Sequence, residues 1–297
     1  MRYVDHCGEI HEEQGKQDRL FSVLYTTNAG RWLIKCLVRP GISEKVGAYL
    51  DTKASRWLIL PFMRSCHLDM APYRRKTPAE YISYNDFFTR ELLPGMRVVD
   101  RENTHFPSPC DGKATVYPIG EDTSFVVKQT RYTVASLLKN RQLAKRYQGG
   151  YAIVLRLCVT DYHRYIYPVS GEKSDNYFIP GVLHTVNPIA VETAEVFKEN
   201  AREFTLVKNN EFGTVLQMEV GALMVGRICN YHQQGCVERG QEKGRFEFGG
   251  STIILLIQRD RIQIREDLLK NTARECETEV HMGECLGYSF NAMTVHP

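Results

Sequence analysis

Three short apolar runs constrain this chain more than anything else in it. Tyr151–Val159, Thr214–Gly226 and Thr252–Gln258 are rich in Val, Ile, Leu and aromatic residues, and turn-forming residues bound each one. None approaches the roughly 18–20 consecutive apolar residues that a membrane-crossing helix needs. Short, β-rich in composition and punctuated by turns, they read as buried strands. Two helices interrupt them. One is expected from about Thr133 to Tyr147, stopped by Gly149-Gly150; the other starts at Asn187-Pro188, a cap followed by proline in the first turn, and runs to about Ala201. Before Lys76 the apolar spacing is helical in places, broken by Pro40-Gly41 and Pro61, and Tyr84–Arg90 leads into a turn at Pro94-Gly95. The fold class that accommodates this order is α+β: a mainly antiparallel β core, sandwich-like or barrel-like, carrying a helical N-terminal region. The boundary falls between residues 1–76 and 77–297.

Composition excludes little. At 297 residues with 43% hydrophobic and 25% charged content, the chain can bury a sizeable core and is not disordered as a whole. Met1–Arg19 is polar and mixed in charge, unlike a secretory signal, so a cytoplasmic location is expected. The net charge of +3 is unevenly spread. Residues 31–76 hold 10 basic and 3 acidic groups, against 3 and 5 before them and 25 and 27 after. That basic segment also carries Trp32, Trp57 and Phe62 among aliphatic residues. The combination suits an anionic bilayer, with aromatics at the interface and Lys/Arg near the head groups. It also suits a helical cap packing its apolar face on the rest of the protein, and the two roles are compatible. Nucleic acid fits less well, because the basic residues are interleaved with so much apolar content.

Nine cysteines, an odd number, include no C-x-x-C pair. Cys229 and Cys236 with His232 between them have poor zinc-ligand spacing, and no metal centre is expected. Cys158 sits in the first apolar run, where a reduced thiol serves as a small hydrophobe.

Four segments carry chemistry-bearing residues. Phe248-Gly249-Gly250-Ser251-Thr252 puts two glycines before a serine at the mouth of a strand, leaving the Gly250 carbonyl open to close approach. By itself this reads equally as a glycine bulge with a surface hydroxyl. Ser108-Pro109-Cys110-Asp111-Gly112-Lys113 holds a carboxylate in what alone is a tight turn. In Asp161-Tyr162-His163-Arg164-Tyr165, a histidine follows a strand, where a satisfied structural role is the ordinary one. Tyr84–Gly95, YNDFFTRELLPG, alone is a helix packing its aromatics.

In this order and at this spacing the four resemble the phosphatidylserine decarboxylase family, through FFTRELLPG, SPCDGK, DYHRY and FEFGGSTIILL. The links GGYAIVLRLCVTDYHRY, PGVLHTVNPIA and EVGALMVGRICNYH are similar too, so the resemblance spans about Tyr84 to Leu269. It implies a proenzyme that cuts itself between Gly250 and Ser251, giving a chain of residues 1–250 and one of 251–297. Ser251 becomes a covalent pyruvoyl group, the only cofactor implied. That ketone combines with the amine of phosphatidylserine in an anionic membrane and draws electrons as CO2 leaves. Asp111 is implied to orient a histidine that takes the Ser251 proton, and His163 to protonate the substrate Cα. A peripheral place on the cytoplasmic face of the cell membrane follows, with the two product chains held together and dimerising further.

One position departs from the family pattern. Many members carry a second histidine three residues after the first, which pairs with the aspartate during self-cleavage; here that residue is Ile166. His184, in Leu183-His184-Thr185-Val186, is the expected substitute, since it lies on the next strand-like segment after the Pro168–Pro180 loop, where a capping or packing role is the alternative. Some members ending in FGGST look similar to this chain in DYHRY and LHTV together. Two rival readings remain on the residues alone: the same chemistry on a soluble amine, and a non-catalytic membrane-surface module whose Ser251 stays uncut.

Overall fold

A computed structural model describes residues 2–12, 40–121, 123–127, 130–183, 198–221, 227–248 and 251–290. The strands begin with Arg2–Val4 (β1), Ile10–Glu12 (β2), His105–Pro107 (β3), Gly112–Pro118 (β4), Ser124–Val127 (β5), Thr130–Thr133 (β6) and Tyr151–Leu157 (β7). There follow Arg164–Ile166 (β8), Gly171–Lys173 (β9), Tyr177–Ile179 (β10), Val182–Leu183 (β11), Lys198–Glu199 (β12), Arg202–Asn209 (β13) and Gly213–Val220 (β14). The last are Ile228–Asn230 (β15), Gly235–Val237 (β16), Glu242–Phe246 (β17), Ser251–Ile257 (β18), Ile262–Ile264 (β19), Cys276–Val280 (β20) and Cys285–Ser289 (β21). Helices are Pro40–Leu50 (α1), Ile59–Ser65 (α2), Tyr84–Phe88 (α3), Val134–Leu138 (α4), Arg141–Lys145 (α5) and Glu266–Ala273 (α6).

One large sheet organises the molecule, in the order β16-β9-β13-β14-β18-β7-β4-β20-β1-β2, with β10 also on β13. Its pairs are antiparallel except β1 with β20. The expected α+β class with a mainly antiparallel core therefore stands. All seven residues of β18 are buried. Alternate side chains enter two different cores: Ile253, Leu255 and Ile257 face one that includes Tyr165, Tyr167 and Phe246, and Ile254 and Leu256 face one built with α4 and α5. A strand covered on both faces has no polar alternation, which is why residues 253–257 are an unbroken apolar run. Two small sheets, β15-β17-β8 and β19-β21-β3, contribute residues to the first core.

Three expectations need correction. The helix expected over residues 133–147 is two short ones: Lys139 takes a left-handed φ of 50° and ends α4, and Asn140 caps α5 by accepting from Leu143 N. The helix expected after Asn187 lies mostly outside the described residues, but its far end is wrong, because Lys198–Glu199 is a strand paired with β11. The first residues are not part of a helical region either: β1 and β2 extend the large sheet. Helices do follow from residue 40, and they are not separate from the β core. Leu50, Ile59, Tyr81, Tyr84, Phe87, Phe88 and Tyr162 share one aromatic-rich cluster, with Phe248 packed against it.

Candidate active site

The sheet register brings three of the four motifs to one end of adjacent strands. Ser251, the first residue of β18, pairs with Leu157, the last of β7. Lys113, the second residue of β4, pairs with Arg156. Gly112, the first, pairs with Val280, the last of β20. With neighbouring strands about 4.8 Å apart, the Cα atoms of Ser251 and Gly112 are on the order of 10 Å from each other. Gly112 cannot be another residue here, since a Cβ would sit 2.8 Å from the Arg156 carbonyl oxygen. Asp111 enters this end just before β4, and His163 lies in the turn that follows β7.

The fourth motif holds the others. Ser83 caps α3 by accepting from Asp86 N at 3.2 Å, which starts the helix where the sequence turns aromatic. The Phe88 ring then lies 4.0 Å from that of His163 and 5.2 Å from that of Phe248, three residues before Ser251. Asn85 accepts from Phe248 N at 3.2 Å and donates to Asp51, in the turn after α1, at 2.8 Å. Arg90, 1% exposed, donates to the carbonyls of Thr160 at 2.6 Å and Asp161 at 3.3 Å. A buried guanidinium thereby pins the turn that carries His163.

His163 is itself 1% exposed. Its Nδ1 lies 2.9 Å from the Asp161 carbonyl oxygen, which can only accept, so Nδ1 carries the proton and the neutral ring presents Nε2 as its basic atom. The main chain is fixed on the other side, where Phe246 N donates to the His163 carbonyl at 2.9 Å. Ser251 is likewise buried, at 1%.

Asp111 has a partner that sequence reasoning did not find. Arg97 grips it at both oxygens, Nε to Oδ1 at 2.7 Å and Nη2 to Oδ2 at 2.6 Å, and Met282 N donates to Oδ1 at 2.8 Å. Arg97 closes the stretch FFTRELLPGMR, so the signal lay in plain view, but nothing local identifies which carboxylate it meets. His281, beside Met282, is a second imidazole in the electrostatic reach of Asp111 and was also missed. The expected partnership of Asp111 with His184 concerns a residue outside the described ones. Ile166 is buried, and its N–H donates to the Pro109 carbonyl at 2.9 Å, so the position at which the family resemblance implied a histidine adjoins the Asp111 turn.

Asp161 is the other titratable group of note. Burial pushes its carboxyl up to about 6, against the opposing pull of Lys113 and of the Cys158 N–H that it accepts at 2.7 Å; Asp111 and Glu279 add to the rise. A raised folded pKa favours the protonated form, so the contribution to stability is full below the unfolded value near 4 and is lost as pH rises through about 6. Asp161→Asn keeps an acceptor for Cys158 and carries no charge. It is expected to stabilise the protein by on the order of 2–3 kcal/mol at pH 7.5 and by nothing below about pH 4, read from thermal midpoints across that range.

Among the described residues, the site thus has a buried serine at a strand start, a buried histidine with a fixed tautomer, and a clamped aspartate. A model of the family described as phosphatidylserine decarboxylase matches residues 84–288, from α3 through β21. The chain is 40% identical to phosphatidylserine decarboxylase proenzyme 2 of Clostridium acetobutylicum, over 94% of this chain and 95% of the relative. It is 35% identical to the phosphatidylserine decarboxylase proenzyme of Fusobacterium nucleatum and 36% identical to that of Chlamydia felis, each over 98% of both chains. Likeness of this extent, covering the motifs and the strands that juxtapose them, makes the chain a member of the phosphatidylserine decarboxylase family.

Proposed function

We propose that this chain is a phosphatidylserine decarboxylase proenzyme that cuts itself between Gly250 and Ser251 and then converts phosphatidylserine to phosphatidylethanolamine and CO2 at a membrane surface. The observation that carries this reading is the convergence of Asp111, His163 and Ser251 on one end of β4, β7 and β18. In processing, the Ser251 hydroxyl attacks the Gly250 carbonyl and exchanges the peptide bond for an ester. Elimination then frees residues 1–250 as a carboxylate-ended chain and leaves a dehydroalanine at the head of residues 251–297, which takes up water and releases ammonia to leave a ketone. Ser251 fits as the source of a pyruvoyl group: it opens a strand, is buried, and pairs with Leu157, which would hold the new chain end in the sheet. That group supplies the electron sink for the loss of CO2.

The chain's own side chains supply the rest. His163, protonated on Nδ1 when neutral, accepts a proton at Nε2 and returns it to the substrate Cα. Phe88 covers the His163 ring and is itself backed by Phe248, which limits water around the base. Asp111 orients the base that serves Ser251, a role we assign to His184 in the absence of a histidine at 166, and Arg97 fixes the carboxylate for it. The test is a denaturing gel. Wild-type protein is expected as two chains, one of residues 1–250 and one of the 47 residues from 251 to 297. A single full-length band would favour a non-catalytic module instead.

A lipid substrate also needs a docking face, and the residues up to 76 supply one. Trp57 is 65% exposed and Leu60 41%, with Lys53 and Arg64 exposed beside them, while Ile59 on the same turn is fully buried against the aromatic cluster. Trp32, the other tryptophan, lies outside the described residues. No described helix is long and apolar enough to cross a membrane. Binding to anionic liposomes is expected to weaken as salt takes the Debye length from about 10 Å to 3 Å. The salt-resistant remainder is expected to fall in the Trp57→Ala, Leu60→Ala double variant. Protein left wholly in the soluble fraction at low salt would redirect the reading to a soluble amine.

A further inference from the structure

A buried ion pair outside the site has no counterpart in the chemistry above. Glu219 of β14 and Lys243 of β17 are both fully buried, with Nζ 2.6 Å from Oε2. Asn230 of β15 completes a network. Its Oδ1 accepts from Lys243 at 2.9 Å and from the Tyr165 hydroxyl at 3.2 Å, and its Nδ2 donates to Glu219 Oε2 at 3.2 Å and to Glu203 Oε1 at 2.7 Å. Glu219 Oε1 is buried with no hydrogen-bond partner among the described residues. Burial pushes the Glu219 carboxyl up and the Lys243 ammonium down, so both charges are held against their preference for water. Apolar residues of similar volume fill such space at little or no cost in stability, so the pair calls for another reason.

Its place in the topology supplies one. β14 lies beside β18 in the large sheet, with Glu219 opposite Ile253, two residues from Ser251 and on the same face. β17 belongs to a small sheet, between β15 and β8. The pair is therefore a link between sheets. β17 is also the strand whose Phe246 N–H holds the His163 carbonyl at 2.9 Å, and only residues 247–250 separate it from Ser251.

We propose that Glu219 and Lys243, with Asn230, form a positioning lock for the processed enzyme: they hold β17, and through it His163, in register over the Ser251 strand once the chain between them has been cut. This rests on the reading that the bond between Gly250 and Ser251 is severed. Before the cut, β17 is tethered covalently to β18. Afterwards it is the last strand of its chain, kept in place by its ladder to β15 and β8 and by contacts across the two sheets. Apolar contacts are non-directional and tolerate sliding, whereas a buried pair with directed hydrogen bonds admits one register.

The test uses the Glu219→Met, Lys243→Met double variant, in the self-cutting protein and in a Ser251→Ala background that keeps the tether. Hydrogen exchange at the Phe246 amide is expected to speed up by about 10-fold or more in the cut double variant relative to cut wild type, and to be unchanged in the uncut background. The kcat of the cut variant is expected to fall about 10-fold with KM within about twofold, because His163 is misplaced and substrate binding is not. Unchanged exchange and kcat in the cut variant would overturn the lock. So would equal loss of protection in both backgrounds, which would make the pair a support of the fold alone. Wild-type protein that never cuts itself is seen on the gel beforehand and overturns the proposed function and the lock together. If the double variant does not fold, Glu219→Gln, which keeps the volume and an acceptor for Lys243, carries the same comparison.

Discussion

Ser251→Ala is expected to remain one chain of 297 residues and to lose decarboxylase activity by more than about 10⁴-fold. The cause is chemical and not structural. Alanine removes the hydroxyl that attacks the Gly250 carbonyl, and with it the source of the ketone. It leaves the β18 ladder intact, and a buried serine gives way to alanine for about 1 kcal/mol of stability. The variant should therefore fold, which circular dichroism and a thermal scan check before the gel is read. Ser251→Cys keeps a nucleophile and is expected to cut slowly. Cleaved material from Ser251→Ala would remove Ser251 from its assigned role.

The second large effect separates the two histidines. His163→Ala is expected to mature at least in part, while its turnover falls by about 10²–10⁴-fold, the usual worth of a positioned acid or base. His184→Ala and Asp111→Asn are expected to stay uncut. For Asp111→Asn the thermal midpoint must be followed as well, because the half-buried Arg97 guanidinium loses its charge partner. His281→Ala belongs in the same set, since that imidazole adjoins Met282, whose N–H binds Asp111. If His184→Ala matures normally and His281→Ala does not, the base for Ser251 is His281. If both mature normally, His163 serves both steps, and its own variant should then fail to cut.

The strands were legible because their signal is local. Runs such as Ile253–Ile257 carry the apolar density that burial on both faces demands, and their neighbours end at glycines or polar turns. What was not legible depends on partners far away in the chain. Arg2–Val4 pairs locally with β2, but it joins the large sheet through β20, more than 270 residues later. The expected helix over 133–147 broke at Lys139, where the left-handed turn satisfies a cap that periodicity does not sense. The site followed the same division. Asp111, His163 and Ser251 stood out in their motifs, and the register then explained why these motifs belong together. Arg97 as the clamp on Asp111, and the Glu219–Lys243 pair, had no such signature. Each charge reads locally as a solvated side chain, and only the tertiary fold identifies its partner: a loop before β3 meeting the turn before β4 for Arg97 and Asp111, and one sheet facing another for Glu219 and Lys243.

The place of β18 in the large sheet has a consequence for how the chain is made. It lies between β14 and β7, in the middle of the sheet, and β20 lies between β4 and β1. Both belong to the last 47 residues. During synthesis, everything up to residue 250 is exposed before the strand that joins the two halves exists. Until then β14 and β7 each present an open edge of unpaired amides and carbonyls, a template for association with other chains. Ribosome-bound intermediates ending near residue 250 should therefore be the species most dependent on chaperones. A separately supplied 251–297 peptide would have to insert two strands at two interior places of one sheet, so cutting has to follow folding.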